Sequence, residues 1–587
     1  MVSGKGKNPR AGLAEETTLP GAFFRDDAPE GSGPALLARQ GDGVVEITRA
    51  GLERSVKELA TGLIAMGIGP GERVAIIHEN SPEWITADLA IASAGAVSVP
   101  VYTTLGMEET AFLLRDSSCT CVIFSGAHEE KVLSLKKTLP FLTHLISTAG
   151  SDARDVLGLE DVSALGRKSG DEALLRLRMK GIDPHDPFSI IYSSGTTGRP
   201  KGVVLSHANI LSNIEAVLKV IKVTPGDLYL SYLPLSHIFE RMVHHLLLFT
   251  GTPIAYSRGF AYVGADMAFF KPTFMVGVPL FFERMKKRVL EAVRGSGALK
   301  RFLFDLAARS GRTSGRRNPL NRAVLKGVRD RIGPSIRFFI SGGAALSRET
   351  VEFFEMIGLP VLQGYGLTET SPVVTVNTLE DNRPGTVGRP VPGVEVRIAE
   401  DGEILVKGPN VMKGYLNLPE TNRETIRDGW LHTGDIGVMD EEGFLTITDR
   451  KKDIIVTSAG KNIPPQRIET ILKADEYIKE ALVYGDSRPH LVALIVPDEK
   501  NLEMLAKDLG LEYSNAPELL QDERLHGCFE ERIRSRLAGL ARFEQIRRFA
   551  LIEDDLSQEG GELTPTMKVR REKVALKYKA LIDSLYE

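Results

Sequence analysis

Tyr192-Ser-Ser-Gly-Thr-Thr-Gly-Arg-Pro-Lys-Gly202 decides how this chain is read. Four hydroxyls (Ser193, Ser194, Thr196, Thr197), three glycines (Gly195, Gly198, Gly202) and Lys201 fall within eleven residues, directly after the apolar run Phe188–Tyr192. Glycines let backbone N–H groups converge on an anion, hydroxyls add donors, and a lysine adds charge. The stretch therefore reads as a phosphate-holding loop at the end of a buried strand. It is not the GxxxxGK[ST] loop of P-loop NTPases, because the spacing and the terminal Ser/Thr are wrong.

Working outward, short apolar runs alternate with helical patterns. Arg73–His78, Val97–Val101, Cys121–Phe124, Asp227–Leu233 and Thr273–Val278 read as strands, and Trp84–Ala96 as a helix. This alternation predicts βαβ units and largely parallel sheets. After about residue 400 the texture changes to short β runs, Gly402–Gly408 and Gly443–Asp449, divided by Gly and Asp turns. From Asp453 a compact βα unit is predicted, with strands near Ile454–Val456, Ala481–Tyr484, Leu491–Val496 and Phe549–Ile552. Asp449-Arg-Lys-Lys-Asp453 is wholly charged, which suits a domain boundary and not a core.

Composition bounds the function. The chain has 587 residues, 42% hydrophobic and 26% charged, which is ordinary for a globular protein with a large core. Three cysteines exclude a disulfide scaffold and suit a reducing compartment. Cys119 and Cys121 read as core packing, and the absence of HExxH or a Cys/His cluster argues against zinc. A net charge of −4 excludes nucleic-acid binding by bulk charge. No run of 18 apolar residues suggests a membrane span, and the N-terminus lacks the apolar core of a secretory signal. Residues 1–18 are expected to form a disordered tail.

The phosphate-loop motif resembles that of the adenylate-forming superfamily: acyl- and aryl-CoA synthetases, peptide-synthetase adenylation domains and beetle luciferases. Five further motifs follow in that family's order: Ser341–Ala345 (SGGAA), Gln363–Thr370 (QGYGLTET), Trp430–Asp435 (WLHTGD), Asp449–Asp453 (DRKKD) and Leu563–Lys568 (LTPTMK). The likeness spans roughly residues 20–587. It implies an α/β fold: a large N-terminal domain (19–449) of mixed, largely parallel sheets with a small β-barrel-like subdomain, a hinge (450–453), and a mobile α+β C-terminal domain (454–587). Tyr232–Arg241 (YLPLSHIFER), the basic segment near 284–331 and the LTPTMK motif are similar to those of long-chain fatty acyl-CoA synthetases.

The resemblance implies two half-reactions in one site. A fatty carboxylate attacks the α-phosphorus of ATP, giving acyl-AMP and pyrophosphate. The thiol of coenzyme A then takes the acyl group and expels AMP. Carried over residue by residue, Lys568 is the central catalytic cation. Lys201 with Ser193, Ser194, Gly195, Thr196, Thr197 and Gly198 holds the β- and γ-phosphates. Thr368 donates to the α-phosphate, and Glu369 is the Mg²⁺ ligand. Gly342, Gly343, Ala344, Gly364, Tyr365 and Gly366 frame adenine, while Asp435 and Arg450 hold the ribose. His237 gates the acyl pocket from the CoA tunnel. Lys452, where many relatives carry aspartate, is the hinge residue, and Gly460 and Lys461 approach CoA after the domain turns.

Two rivals share the fold: a fatty acyl-AMP ligase that loads a carrier protein, and a catalytically silent lipid-binding member. The expected partners are fatty acid, ATP and CoA, with no nucleic acid. Arg284–Arg331 carries fifteen Lys/Arg against Glu291, Asp305 and Asp330. That charge, with the helical stripe Leu299, Phe302, Leu303 and Leu306, leaves two readings: a solvated, charged helical insertion, or peripheral contact with anionic membrane. The expected location is cytoplasmic, at the inner face of a membrane. Acyl chain length and oligomeric state stay open, a homodimer being one candidate.

Overall fold

Two stacks of β-branched and aromatic runs, each punctuated by amphipathic helices, give the N-terminal domain two sheets. The computed structural model describes residues 17–25, 33–41, 43–193, 199–297, 304, 319–458, 461–553, 556–557, 560–564 and 569–587. The first sheet has eight strands, in the order Gly414–Tyr415, Lys201–Ser206, Pro187–Ser193, Val97–Pro100, Arg73–Ile77, Cys121–Phe124, His144–Ser147 and Val156–Gly158. Its pairings are parallel from Pro187–Ser193 onward to Val156–Gly158, and antiparallel at the phosphate-loop edge.

The second sheet has nine strands, from Arg389–Pro390 through Val361–Gly366, Phe338–Ser341 and Phe274–Gly277 to an edge at Gly43–Thr48. Its centre is parallel and both ends are antiparallel. The predicted strands at 73–78, 97–101, 121–124, 188–192, 227–233 and 273–278 are all present, with ends moved by a residue or two. The expected helix at 84–96 spans Pro82–Ser93, started by Pro82 and by Ser81, whose hydroxyl accepts from the Trp84 N–H.

Fully buried runs explain why periodicity alone was a weak guide here. Cys121–Phe124 and Phe338–Ser341 are buried on both faces, as strands of a covered parallel sheet are. Cys119 and Cys121 are packed in this core, and burial pushes the Cys119 thiol up to about 12, so both are inert.

A buried ion pair locks the helix Ile238–Thr250 against the first sheet. Arg241 grips Asp88 of helix Pro82–Ser93 through two N–H groups, and its third arm donates to the Ser189 hydroxyl at 2.6 Å. Both partners are essentially inaccessible. Removing either would strand the other, at a cost of about 3–5 kcal/mol.

A five-stranded antiparallel sheet built on Trp430–Met439 follows. The C-terminal unit carries a three-stranded sheet, Ile478–Tyr484, Leu491–Pro497 and Ile546–Leu551, matching the strands expected there, plus the small pair Ile455–Val456 and Asn462–Ile463. Among the described residues no hydrophobic cluster mixes residues before 449 with residues after 453, so each unit has its own core. Of the tail expected over 1–18, residues 1–16 lie outside the described residues. Thr18 is buried and caps the helix Leu19–Phe23. Among the described residues no helix is long and apolar enough to cross a membrane.

Candidate active site

The phosphate-loop hairpin has a well-defined neck. Strands Pro187–Ser193 and Lys201–Ser206 run antiparallel with Ser193 opposite Lys201. Tyr192 anchors the first strand by donating its hydroxyl to Asp116 Oδ2 at 2.7 Å. Ser194, Gly195, Thr196, Thr197 and Gly198 lie outside the described residues.

Lys201 does not stand alone at that neck. Its Nζ lies 4.9 Å from the centre of the Tyr415 ring, a cation–π distance. The Tyr415 hydroxyl donates to Glu369 Oε1 at 2.9 Å. Burial, then the Glu369 carboxylate, pushes the Tyr415 phenol up, so it stays a neutral donor. Tyr415 was not found by sequence reasoning. It sits on the two-residue strand Gly414–Tyr415, opposite Val203 of the lysine's own strand, and only that long-range pairing brings it into the site.

Thr368 and Glu369 occupy a single helical turn after strand Val361–Gly366. Gly366 is obligatory there: a Cβ would lie 1.8 Å from the Pro372 carbonyl oxygen. The backbone of Glu369 is fixed in turn, its carbonyl accepting from the Met412 N–H at 2.9 Å.

Asp435 is 4% exposed and holds two neighbours. Tyr365 donates its hydroxyl to Oδ2 at 2.6 Å, and Arg450 Nε lies 3.1 Å from Oδ1. Asp435 and Arg450 face each other across strands Trp430–Met439 and Leu445–Arg450, which is why two distant motifs meet. The field of Arg450 also reaches Glu369 and Tyr415, which joins this cluster to the phosphate end. Gly364 lies one residue before Tyr365 on the same strand.

Gly342, Gly343 and Ala344 leave the end of strand Phe338–Ser341, with Gly343 and Ala344 exposed. Phe239 packs on this turn, its ring 3.0 Å from where a Gly342 Cβ would be. Behind Phe239 lies an all-apolar cavity of about 40 Å³, lined by Val217, Phe239, Val243, Leu246, Val276 and Ile340 among others. His237 caps the same helix: its Nδ1 accepts from the Phe239 N–H at 3.2 Å.

At the domain junction, Lys452 occupies the turn that follows Arg450, and the preceding N–H, of Lys451, donates to the Gly434 carbonyl. Asp449 departs from the expectation of a solvated boundary, because it is 1% exposed. Its oxygens accept from the N–H groups of Arg450 and of Gln466 in the next helix. Burial pushes its carboxyl up to about 7, outweighing those two donors.

Lys461 donates its N–H to the Thr457 hydroxyl and holds its Nζ 5.7 Å from the Phe543 ring centre. Gly460 and Lys568 lie outside the described residues. Just beyond Lys568, Arg570 reaches Glu109 of helix Met107–Asp116 at 3.6 Å. That helix also bears Asp116, the anchor of the phosphate-loop strand.

The metal expectation rests on Glu369. It is a half-buried carboxylate that has given one oxygen to Tyr415, and no group of three or more His, Cys, Asp or Glu suited to an ion occurs among the described residues. One carboxylate oxygen fits Mg²⁺, which keeps most of its waters and binds largely through substrate phosphates.

The AMP-binding enzyme family matches residues 26–416, and the AMP-binding enzyme C-terminal domain matches 452–587. The chain belongs to the AMP-binding enzyme family. Within it, the long-chain-fatty-acid–CoA ligase FadD15 of Mycobacterium bovis is 34% identical over 93% of both chains. The long-chain-fatty-acid–CoA ligase 5 of Rattus norvegicus is 32% identical over 98% of this chain and 89% of its own length. Among solved structures, the ATP-bound MatB of Rhodopseudomonas palustris superposes with TM-score 0.72 at 26% identity, covering 96% of this chain and 99% of that one. The anthranilate CoA ligase AuaEII, in complex with anthranoyl-AMP, gives TM-score 0.74 at 20% identity and supports the fold alone.

Proposed function

We infer that this AMP-binding enzyme is a long-chain fatty acid–CoA ligase. It forms acyl-AMP and pyrophosphate from acid and ATP, then acyl-CoA and AMP with coenzyme A. The observation that carries this reading is the convergence of Lys201, Tyr415 and Glu369 with Tyr365, Asp435 and Arg450. These residues come from five separate segments and juxtapose a phosphate-type cation, a hard carboxylate and a ribose-type acceptor.

Both reactants of the first step are anions, so the site must neutralise charge and hold them in line. Lys201 and the loop it closes supply that at the β- and γ-phosphates, and Thr368 donates to the α-phosphate. Bound Mg²⁺ would neutralise phosphate charge, and Glu369 would hold it, oriented by the Tyr415 hydroxyl. Asp435 accepts from the ribose hydroxyls in place of, or beside, Tyr365, while Arg450 keeps its carboxylate fixed. Lys568 stands between carboxylate and α-phosphate. The cavity behind Phe239 is the inner end of the acyl path. At about 40 Å³ it accommodates little more than a water or two, so its aliphatic walls and Phe239 part to admit a chain.

The second step uses a different arrangement. The C-terminal domain turns at Lys452, which withdraws Lys568 and brings Gly460 and Lys461 toward CoA, while His237 separates the acyl and thiol paths. The enzyme also works at an anionic membrane surface through 284–331. Part of that charge is spent internally: Lys286 pairs with Glu349, Lys287 with Asp498, Arg294 with Glu476 and Lys326 with Asp330. The stripe Leu299, Phe302, Leu303 and Leu306 lies outside the described residues.

The test is product analysis with acids from hexanoate to arachidate, CoA, and a holo-carrier protein as competing acceptor. Long-chain acid should yield AMP and acyl-CoA. Acyl transfer to the carrier alone would favour the carrier-loading ligase, and no acid-dependent AMP would favour the silent lipid-binding member.

A further inference from the structure

The helix Val263–Phe270 inverts the usual polarity of a surface helix. With the short turn Phe260–Tyr262 before it, it exposes Phe260, Ala261, Tyr262, Gly264, Ala265, Ala268 and Phe269. No charged residue lies on that face. The one charged residue of the helix, Asp266, is fully buried and paired with Arg258 at 2.8 Å. A water-facing helix ordinarily shows the opposite distribution. Phe260, Tyr262 and Phe269 are 43%, 50% and 39% exposed, and they are three of the five exposed aromatics among the described residues.

Each of the three rings has an arginine against it. Arg284 lies 5.5 Å from the Phe260 centroid, Arg258 4.6 Å from that of Tyr262, and Arg39 4.5 Å from that of Phe269. Arg288 approaches Gly264, and Lys271, exposed, ends the helix. Helix Pro319–Ile332 packs alongside. The chain between Arg294 and Pro319 carries Lys300, Arg301, Arg309, Arg312, Arg316 and Arg317 against the single acid Asp305. An apolar face ringed by cations matches the lipid interface, where rings sit at headgroup depth and arginines meet phosphates. Arg39 and Arg258 both share the buried Asp266, so the ring keeps a net positive charge, with Arg284, Arg288 and Lys271 adding to it, which an anionic surface answers better than a protein of mixed charge.

We propose that the Phe260–Phe270 face, with Arg39, Arg258, Arg284 and Arg288, docks this enzyme on anionic phospholipid, its aromatic rings entering the headgroup layer. The proposal rests on the membrane contact inferred for 284–331 and moves the inserting element from the stripe at 299–306 to this face. It also gives the docking a direction. The Phe260 ring packs 6.1 Å from Tyr232, which opens the loop Tyr232–His237, so the lipid-facing surface is one ring away from the acyl side of the site.

The experiment uses the full-length protein with vesicles of phosphatidylcholine alone or mixed with phosphatidylglycerol. Tyr262→Trp reports depth, since the native tryptophans are few and Trp84 is buried. On anionic vesicles its emission should shift to the blue and be quenched by brominated acyl chains. Tyr262→Ser with Phe269→Ser should weaken vesicle binding by ~10-fold or more while leaving the thermal midpoint and turnover on octanoate unchanged. Arg316→Glu with Arg317→Glu tests the broader membrane reading separately. If the wild type sediments with anionic vesicles, is released by the 316/317 variant, and yet shows no quenching at position 262, the membrane reading stands and this face is wrong. No sedimentation with either vesicle overturns both. Concentration-dependent dimers in sedimentation velocity, abolished by the 262/269 variant, would overturn the lipid assignment in favour of a second copy.

Discussion

Asp435 is the carboxylate on which the proposed ribose contact rests. It is buried, bonded to Tyr365 and held by Arg450, so its position is set before substrate arrives. Asp435→Asn keeps the shape but turns one acceptor oxygen into a donor. We expect the KM for ATP to rise ~10- to 100-fold, the range of charged hydrogen bonds, with a smaller effect on kcat. Steady-state kinetics with varied ATP checks this. Asp449 governs pH behaviour at the junction. Its folded-state pKa is raised to about 7 by burial, so the neutral form is the one the fold prefers. The stability it contributes is therefore full below about pH 4, and is lost as pH rises through about 7. Thermal unfolding of the wild type should lose stability on the order of 4 kcal/mol across that window, and Asp449→Asn should flatten the loss. Equal pH dependence in both proteins would remove Asp449 from the junction's energetics.

One scale up, helix Pro279–Arg294 faces two ways. Arg284 and Arg288 border the aromatic face, while Lys287, Glu291 and Arg294 pair with Asp498, Lys500 and Glu476 of the C-terminal unit at 2.5, 2.9 and 2.7 Å. Among the described residues no shared apolar cluster backs these pairs, so the contact is ionic and easily broken. Such an interface suits the domain rotation proposed above. Lys287→Glu should lower acid-dependent adenylation ~2- to 5-fold and spare thioester formation from added acyl-AMP, and adding Asp498→Lys should restore it. Failure of the double variant to recover would mean the pair does not set domain position. The clustering of Lys201, Glu369, Tyr365 and Asp435 was legible because they lie in the motifs Tyr192–Gly202, Gln363–Thr370 and Trp430–Asp435, while Ser194–Gly198 lie outside the described residues. Tyr415, the Phe239–Gly342 packing and this ionic contact were not legible. Each depends on pairing across more than a hundred residues, and two-residue strands and single charges leave no periodic trace. Asp449 was misjudged for a related reason: a charged run predicts exposure on average, whereas one member is buried by the helix that follows it.

For the whole molecule, the proposed mechanism has one site serve two reactions by exchanging which face of the C-terminal domain it meets. Arg570 meets Glu109 on the helix that also anchors Tyr192, so the C-terminal unit touches the N-terminal domain beside the Tyr192 strand. Lys568→Ala should reduce acid-plus-ATP turnover by orders of magnitude while leaving acyl-AMP plus CoA nearly intact. Equal loss of both would contradict a lysine that serves only the first step. The most direct test of the account omits CoA altogether. The enzyme, ATP, Mg²⁺ and palmitate are incubated with labelled pyrophosphate, and the nucleotides are resolved. A two-step adenylating ligase gives palmitate-dependent exchange of label into ATP, with enzyme-bound palmitoyl-AMP that converts to palmitoyl-CoA and AMP on a chase of CoA. Acid-independent exchange, or formation of ADP and phosphate in place of AMP and pyrophosphate, would contradict it.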